Sequence, residues 1–155
     1  MGGGAKNTTL FTNTSLRIIE LPKMSRCVGD NYNHIVTGSN TIERLQVGGT
    51  SAINAHSCPN LLDIEIGENI QADIRFRWTP SSAYDNPDKA AILNENIRNH
   101  IIAKLPDLSN GTPKTITFFN DSSSSPNTDL VNILEQETMD AFASKNWNVS
   151  PAKSV

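Results

Sequence analysis

Three groups of side chains in this chain have the types and spacing that chemistry could use. Asp63 and Glu65 flank Ile64, and in extended backbone that puts both carboxyl groups on one face with their α-carbons about 7 Å apart. Carboxyl groups at such a separation can share acid and base duties in glycoside cleavage. Cys27, His34, His56 and Cys58 are each good zinc ligands by type. Structural zinc sites draw their ligands in tight knuckles, however, and Cys27 precedes His34 by 34 − 27 = 7 positions. Arg75 and Arg77 form the third group, two cations on one side of an alternating run that also holds Asp73.

Each group also has a plainer explanation. Asp63 and Glu65 on one strand, opposite Asp73, Arg75 and Arg77 on the next, would make a solvated cross-strand charge ladder. The cysteines and imidazoles read as core thiols and surface histidines, and His100 reads as a residue at the boundary of a helix. No Gly-x-Ser-x-Gly elbow, Walker loop or Gly-x-Gly-x-x-Gly fingerprint occurs. The sequence therefore nominates no catalytic residue, no metal site and no cofactor.

The elements that must position these groups are legible in the hydrophobic pattern. Leu62, Ile64 and Ile66 alternate with Leu61, Asp63 and Glu65; after Gly67-Glu68-Asn69, the set Ile70, Ala72, Ile74, Phe76 and Trp78 alternates with Gln71, Asp73, Arg75 and Arg77. This predicts a hairpin with one apolar and one polar face, as in an antiparallel sheet covered on one side. A second hairpin is expected from His34–Thr37 and Thr41–Val47 about the turn Gly38-Ser39-Asn40. Ser15–Leu21 reads as a strand stopped by Pro22, residues 23–33 as loop, and Lys114–Asn120 as a further strand.

Asn86 is a natural N-cap, Pro87 suits the first helical position and Asp88 complements the helix start. From there Ala90, Leu93, Ile97, Ile101 and Leu105 recur at helical steps. A last helix is expected from a cap at Asn127 or Thr128 through Ala143. The predicted fold class is α+β, a largely antiparallel sheet with two C-terminal helices packed on one face. Residues 1–15 are expected to be an arm, 16–145 a single domain and 146–155 a tail.

Composition narrows the function classes. A chain of 155 residues with 37% hydrophobic side chains suits one core hiding roughly two-thirds of its unfolded surface. A net charge of −3 gives no overall drive toward nucleic acid or anionic lipid. No apolar run approaches a membrane span, and the start Met1-Gly2-Gly3-Gly4 is unlike an export leader, so neither a membrane partner nor secretion is expected.

The segment Gln71-Ala72-Asp73-Ile74-Arg75-Phe76-Arg77-Trp78, continued by Thr79-Pro80-Ser81-Ser82 and the helix ending near Leu105, resembles the coat proteins of single-stranded RNA phages over about a quarter of the chain. In that family helices pack over a partner subunit's sheet while the opposite face looks toward packaged RNA. The resemblance implies that Arg75 and Arg77 face genomic RNA. It also implies a subunit interface of Ile74, Phe76 and Trp78 with the helical residues Leu93, Ile97 and Ile101. The expected function is a non-enzymatic, self-assembling structural protein, a virion coat or other particle component assembled in a host cytoplasm from copies of itself. A soluble carbohydrate- or protein-binding β domain is the alternative, and a small hydrolase using Asp63 and Glu65 the third.

Overall fold

The structure is a computed structural model and describes residues 9–24 and 34–155. Residues 1–8 and 25–33 lie outside it, with Cys27 and most of the predicted loop at 23–33 among them. Among the described residues nine strands form two layers, the first six alternating between them: β1 Thr9–Thr12, β2 Ile18–Leu21, β3 His34–Thr37, β4 Arg44–Val47, β5 Ala52–His56, β6 Asp63–Glu65, β7 Ile74–Arg77, β8 Lys114–Phe119 and β9 Trp147–Ser150. Among the described residues three α-helices, α1 Pro87–His100, α2 Thr128–Asn132 and α3 Gln136–Ser144, enter after β7. One sheet has the order β1-β3-β5-β7-β8-β9, the other β2-β4-β6. The first three coils of the chain thus each lay one strand in either sheet, and the coils stack.

Stacking explains features that are opaque along the sequence. The runs Leu16-x-x-Ile19-x-Leu21-Pro22, Ile42-x-x-Leu45-x-Val47-Gly48 and Leu61-x-x-Ile64-x-Ile66-Gly67 are three turns of one repeat. Ile19 pairs with Leu45, and Leu45 with Ile64, so equivalent apolar side chains form a column inside the molecule. Gly48 and Gly67 lie where neighbouring coils touch backbone to backbone, and the Gly67 amide donates to the Gly48 carbonyl at 2.8 Å.

The corner after the first-sheet strand repeats as well. Asn13, Gly38 and Ser57 hold positive φ of 47°, 68° and 53°. The Asn13 amide donates to Thr37 O at 2.8 Å and the Gly38 amide to His56 O at 2.9 Å. Side chains tie the same corners together, Ser39 Oγ to Thr14 O at 2.9 Å and Asn60 Nδ2 to Asn40 O at 2.8 Å. Glycine and asparagine tolerate this left-handed turn with least strain, which accounts for the residue types at 13 and 38.

The expected largely antiparallel sheet does not form. Every strand pairing is parallel and the fold is α/β; among the described residues the one antiparallel contact is an isolated bridge between Phe119 and Pro126. Gly38-Ser39-Asn40 and Gly67-Glu68-Asn69 are not hairpin turns. Each carries the chain from one sheet to the other, so β3 and β4 never pair, nor do β6 and β7. Alternation specifies that a segment is extended and which side is apolar. It does not specify the direction or identity of the neighbouring strand.

The helices lie in the second layer, α1 beside β6 and α3 against β9 of the six-stranded sheet. Helix α1 packs along β6 and continues the layer that β2, β4 and β6 begin. Its start is as predicted, with Asn86 Oδ1 accepting from the Lys89 amide at 3.1 Å and Pro87 at the first position. The single last helix is instead two, broken between Ile133 and Glu135. Buried Asn94 serves the break, donating to Ile133 O at 3.0 Å and accepting from the Glu135 amide at 2.8 Å and Thr138 Oγ1 at 2.8 Å. The expected tail supplies an edge strand, β9, pairing with β8.

The core lies between the two layers. Ile53, Phe76 and Phe118 are in register across β5, β7 and β8, and all are fully buried. Phe76 stacks on Phe118 with ring centroids 5.3 Å apart, and Trp78 lies tilted to Phe76 at 6.0 Å. Asn127 locks this core to the loop after β8: its Oδ1 caps α2 at the Leu130 amide while its Nδ2 donates to Trp78 O at 2.8 Å.

Candidate functional site

Two polar assemblies stand out, one on each layer. On the second sheet, Arg44 of β4 reaches across to β6. Its Nη1 donates to Asp63 Oδ2 at 2.7 Å and its Nη2 binds Glu65. His100, from the end of α1, donates through Nδ1 to Asp63 Oδ1 at 2.7 Å, and Lys104 Nζ lies 3.6 Å from Glu65 Oε1. The two carboxylates nominated as an acid–base pair are therefore both occupied by cations. Burial works against the Glu65 carboxylate, but hydrogen bonding and charge from Arg44, with Lys104 and His100 behind it, hold its carboxyl below the usual range. Burial likewise opposes the Arg44 cation, and Asp63 and Glu65 outweigh it and raise the guanidinium further.

This network clamps α1 onto the coils, and its pH dependence follows from the sign of the Glu65 shift. A folded value below the unfolded one means that the stabilisation is complete above the ordinary glutamate pKa of about 4.3 and is lost as pH falls through the folded value. At neutral pH, Arg44→Met should cost about 1–3 kcal/mol, between the ranges for exposed and buried pairs. It should also flatten the loss of stability between about pH 5 and about pH 3. Urea titrations across that range check both; a variant with the parent's stability and acid profile would rule out the clamp.

The second assembly gathers at the carboxyl ends of β5, β7 and β8, a position where parallel sheets commonly bind ligands, and is joined by His34, the first residue of β3. Arg77, the last residue of β7, is 8% exposed and donates through Nη2 to Ser124 Oγ at 2.7 Å. Among the described residues no carboxylate lies within ion-pair distance of it. The His34 and His56 rings lie 5.2 Å apart beside it. Burial first, then the charges of His56 and Arg77, pull the His34 pKa down, with Asp121 opposing. His34 Nδ1 is buried without a hydrogen-bond partner among the described residues.

Asp121 does not orient either imidazole. Its Oδ2 accepts the Ser57 amide at 2.8 Å, taking the place that a further coil's carbonyl would occupy in the corner column. Ser57 Oγ is 3.3 Å from His56 Nδ1, the contact of adjacent residues rather than a relay built from separate elements. The left-handed φ of Ser57 is likewise shared with Asn13 and Gly38, so it belongs to the coil and not to catalysis.

The residues singled out from the sequence are distributed as follows. Arg75 is exposed on the outer face of the six-stranded sheet, whereas Arg77 two residues on is nearly buried. Ile74, Phe76, Trp78, Leu93, Ile97 and Ile101 are all buried within this chain's own core. Asp63 and Glu65 are on a different sheet from Asp73, Arg75 and Arg77, so the expected cross-strand ladder is replaced by the Arg44 network. Cys58 is buried, its thiol donates to His56 O at 3.3 Å, and burial pushes its pKa up. Among the described residues no three of His, Cys, Asp and Glu are grouped as metal ligands, and no helix is long and apolar enough to cross a membrane.

Asp121 and Ser124 were not foreseen. They sit in a serine-rich loop whose composition says only that it turns; the cue was the length of the loop following a strand, where parallel sheets place their ligand-binding residues. No protein-family model matches the chain, and neither a curated protein nor a solved structure shows significant similarity to it.

Proposed function

We propose that this protein is a non-catalytic binding module that docks a protein partner on the outer face of its six-stranded sheet. The observation that carries this reading is the makeup of that face where β7, β8 and β9 adjoin. Arg75, Thr117 and Ser150 form one row across the three strands, Arg77 and Phe119 pair in the next, and Thr115 pairs with Asn148. Arg75 and Asn148 are exposed, and Thr115, Thr117, Phe119 and Ser150 are half-buried. Stacked-coil proteins use extended surfaces of this kind for binding, and arginine and aromatic side chains are enriched at protein interfaces. The absence of a catalytic role is supported by the pairing of Asp63 and Glu65 with Arg44 and by the corner geometry of Ser57.

Binders selected from a displayed protein library against the native chain should lose at least about tenfold in affinity with Arg75→Glu or Phe119→Ala, as interface anchors do. Binders indifferent to both substitutions would refute this use of the face.

A second reading, association with copies of itself, is favoured by the first coil. Leu10, Leu16 and Ile18 are 56%, 46% and 56% exposed, and β1 and β2 are the outermost strands of their sheets among the described residues. Open edges beside exposed aliphatic side chains invite pairing. Light scattering on the eluting protein separates the readings, since self-association through this end would be lost in Leu16→Lys/Ile18→Lys.

A further inference from the structure

We infer that the cluster at the carboxyl ends of β5, β7 and β8 is an oxyanion site in which Arg77 receives a carboxylate or phosphate group of the bound partner. The inference rests on the binding reading above and deepens it. Arg77 as a residue is 8% exposed, and an arginine held so far into the structure is normally compensated by a carboxylate. Among the described residues Arg77 has instead a hydroxyl, Ser124 Oγ, and no carboxylate at ion-pair distance. That bond uses Nη2, and among the described residues no other side-chain hydrogen bond engages its five-donor fork.

The surroundings suit an anion that arrives from solution. His34 brings an unpaired ring nitrogen and His56 a second imidazole, both able to donate to oxygen. Arginine's planar fork matches carboxylate and phosphate geometry in two parallel bonds, which a lysine cannot reproduce. Asp121 faces the same cluster and opposes an anion. Its Oδ2 is engaged by the Ser57 amide, so it remains in place as a brake on affinity rather than as the partner of Arg77.

The test is a titration of the whole chain with inorganic phosphate, sulfate and acetate, followed by NMR of the histidine ring signals. Saturable shifts of His34 and His56 are expected with phosphate or acetate, and the preferred anion tells whether the partner offers a phosphate or a carboxylate. Arg77→Gln should weaken the shift-derived affinity at least tenfold and Arg77→Lys severalfold. Lys114→Gln, at the far end of β8, should leave it unchanged. Asp121→Asn, which keeps an acceptor for the Ser57 amide, should strengthen it.

Absence of saturable shifts with all three anions would overturn the inference. So would equal weakening by Arg77→Gln and Lys114→Gln, which marks mere screening. Should Arg77→Gln fail to fold, the wild-type ring shifts and Arg77→Lys decide alone. Loss of the anion site with retained partner binding at Arg75 and Phe119 would defeat this inference without touching the binding function.

Discussion

Trp78→Ala is expected to destabilise the chain by about 3–5 kcal/mol, the range for removing a large aromatic from a packed core. The side chain is 1% exposed and lies against Phe76. It is also a junction: Nε1 donates to Leu61 O at 2.8 Å, its amide donates to Phe119 O at 3.1 Å, and its carbonyl accepts from Asn127. Truncation leaves a cavity and an unpaired Leu61 carbonyl together, at the point where the strand coils meet the helical half. Domains commonly hold only about 5–15 kcal/mol in total, so a large part of the stability should go. The urea midpoint reports it directly. Trp78→Phe, which keeps most of the ring and forfeits the Leu61 bond, should recover all but about 1–3 kcal/mol. A shift under about 1 kcal/mol for Trp78→Ala would mean that the indole is not a core residue in solution.

Gly67→Ala should also be costly, about 3 kcal/mol, although alanine normally improves on glycine where the backbone allows it. The φ of Gly67 is not left-handed, so conformational strain is not the cause. A β-carbon there would come within 2.5 Å of Gly48 C and 2.7 Å of Gly49 N, backbone atoms of the preceding coil that cannot swing aside. Gly48 repeats the situation one coil earlier, against Met24 O at 2.5 Å. Gly49 is the internal control: a β-carbon there meets nothing within 4 Å, so Gly49→Ala should be neutral or stabilising by up to about 1 kcal/mol. Equal midpoints for the two variants would contradict the close stacking of the coils.

These two positions illustrate how differently the fold could be read in advance. Trp78 announced itself as apolar by alternation, and the helix cap at Asn86 and Pro87 formed where expected, while the strand before it is shorter, Ile74–Arg77, and the helix after it ends at His100. Gly67 looked like hairpin punctuation. Its neighbour is Gly48, and a glycine required by an approach between coils leaves the same mark in sequence as one required by a turn. The repeat Leu-x-x-Ile-x-Leu, Ile-x-x-Leu-x-Val, Leu-x-x-Ile-x-Ile could have revealed the stacking, yet coils of unequal length and the non-repeating helical half obscured it.

For the candidate site, the residue types were visible and their company was not. Arg75 and Arg77 look alike on one side of one strand. Their fates diverge because Ser124, from a loop far along the chain, closes over Arg77 alone, leaving Arg75 exposed. Asp63 and Glu65 were evident as a pair, while Arg44, which neutralises them, comes from the adjacent coil, and His100 and Lys104 come from the region of α1.

By itself the sequence determined that the central segments around Ile64, Phe76 and Ile116 are extended, that a helix starts at Pro87, and which side of each is apolar, because those properties depend on neighbours one to four residues away; strand β9 and the break between α2 and α3 escaped it. Only the tertiary structure decided that the strands run parallel in two stacked layers and that Arg77 has no counter-charge at ion-pair distance among the described residues. Strand direction and charge pairing are set by which distant segments the coils bring within about 5 Å, and a period of two is the same in either direction.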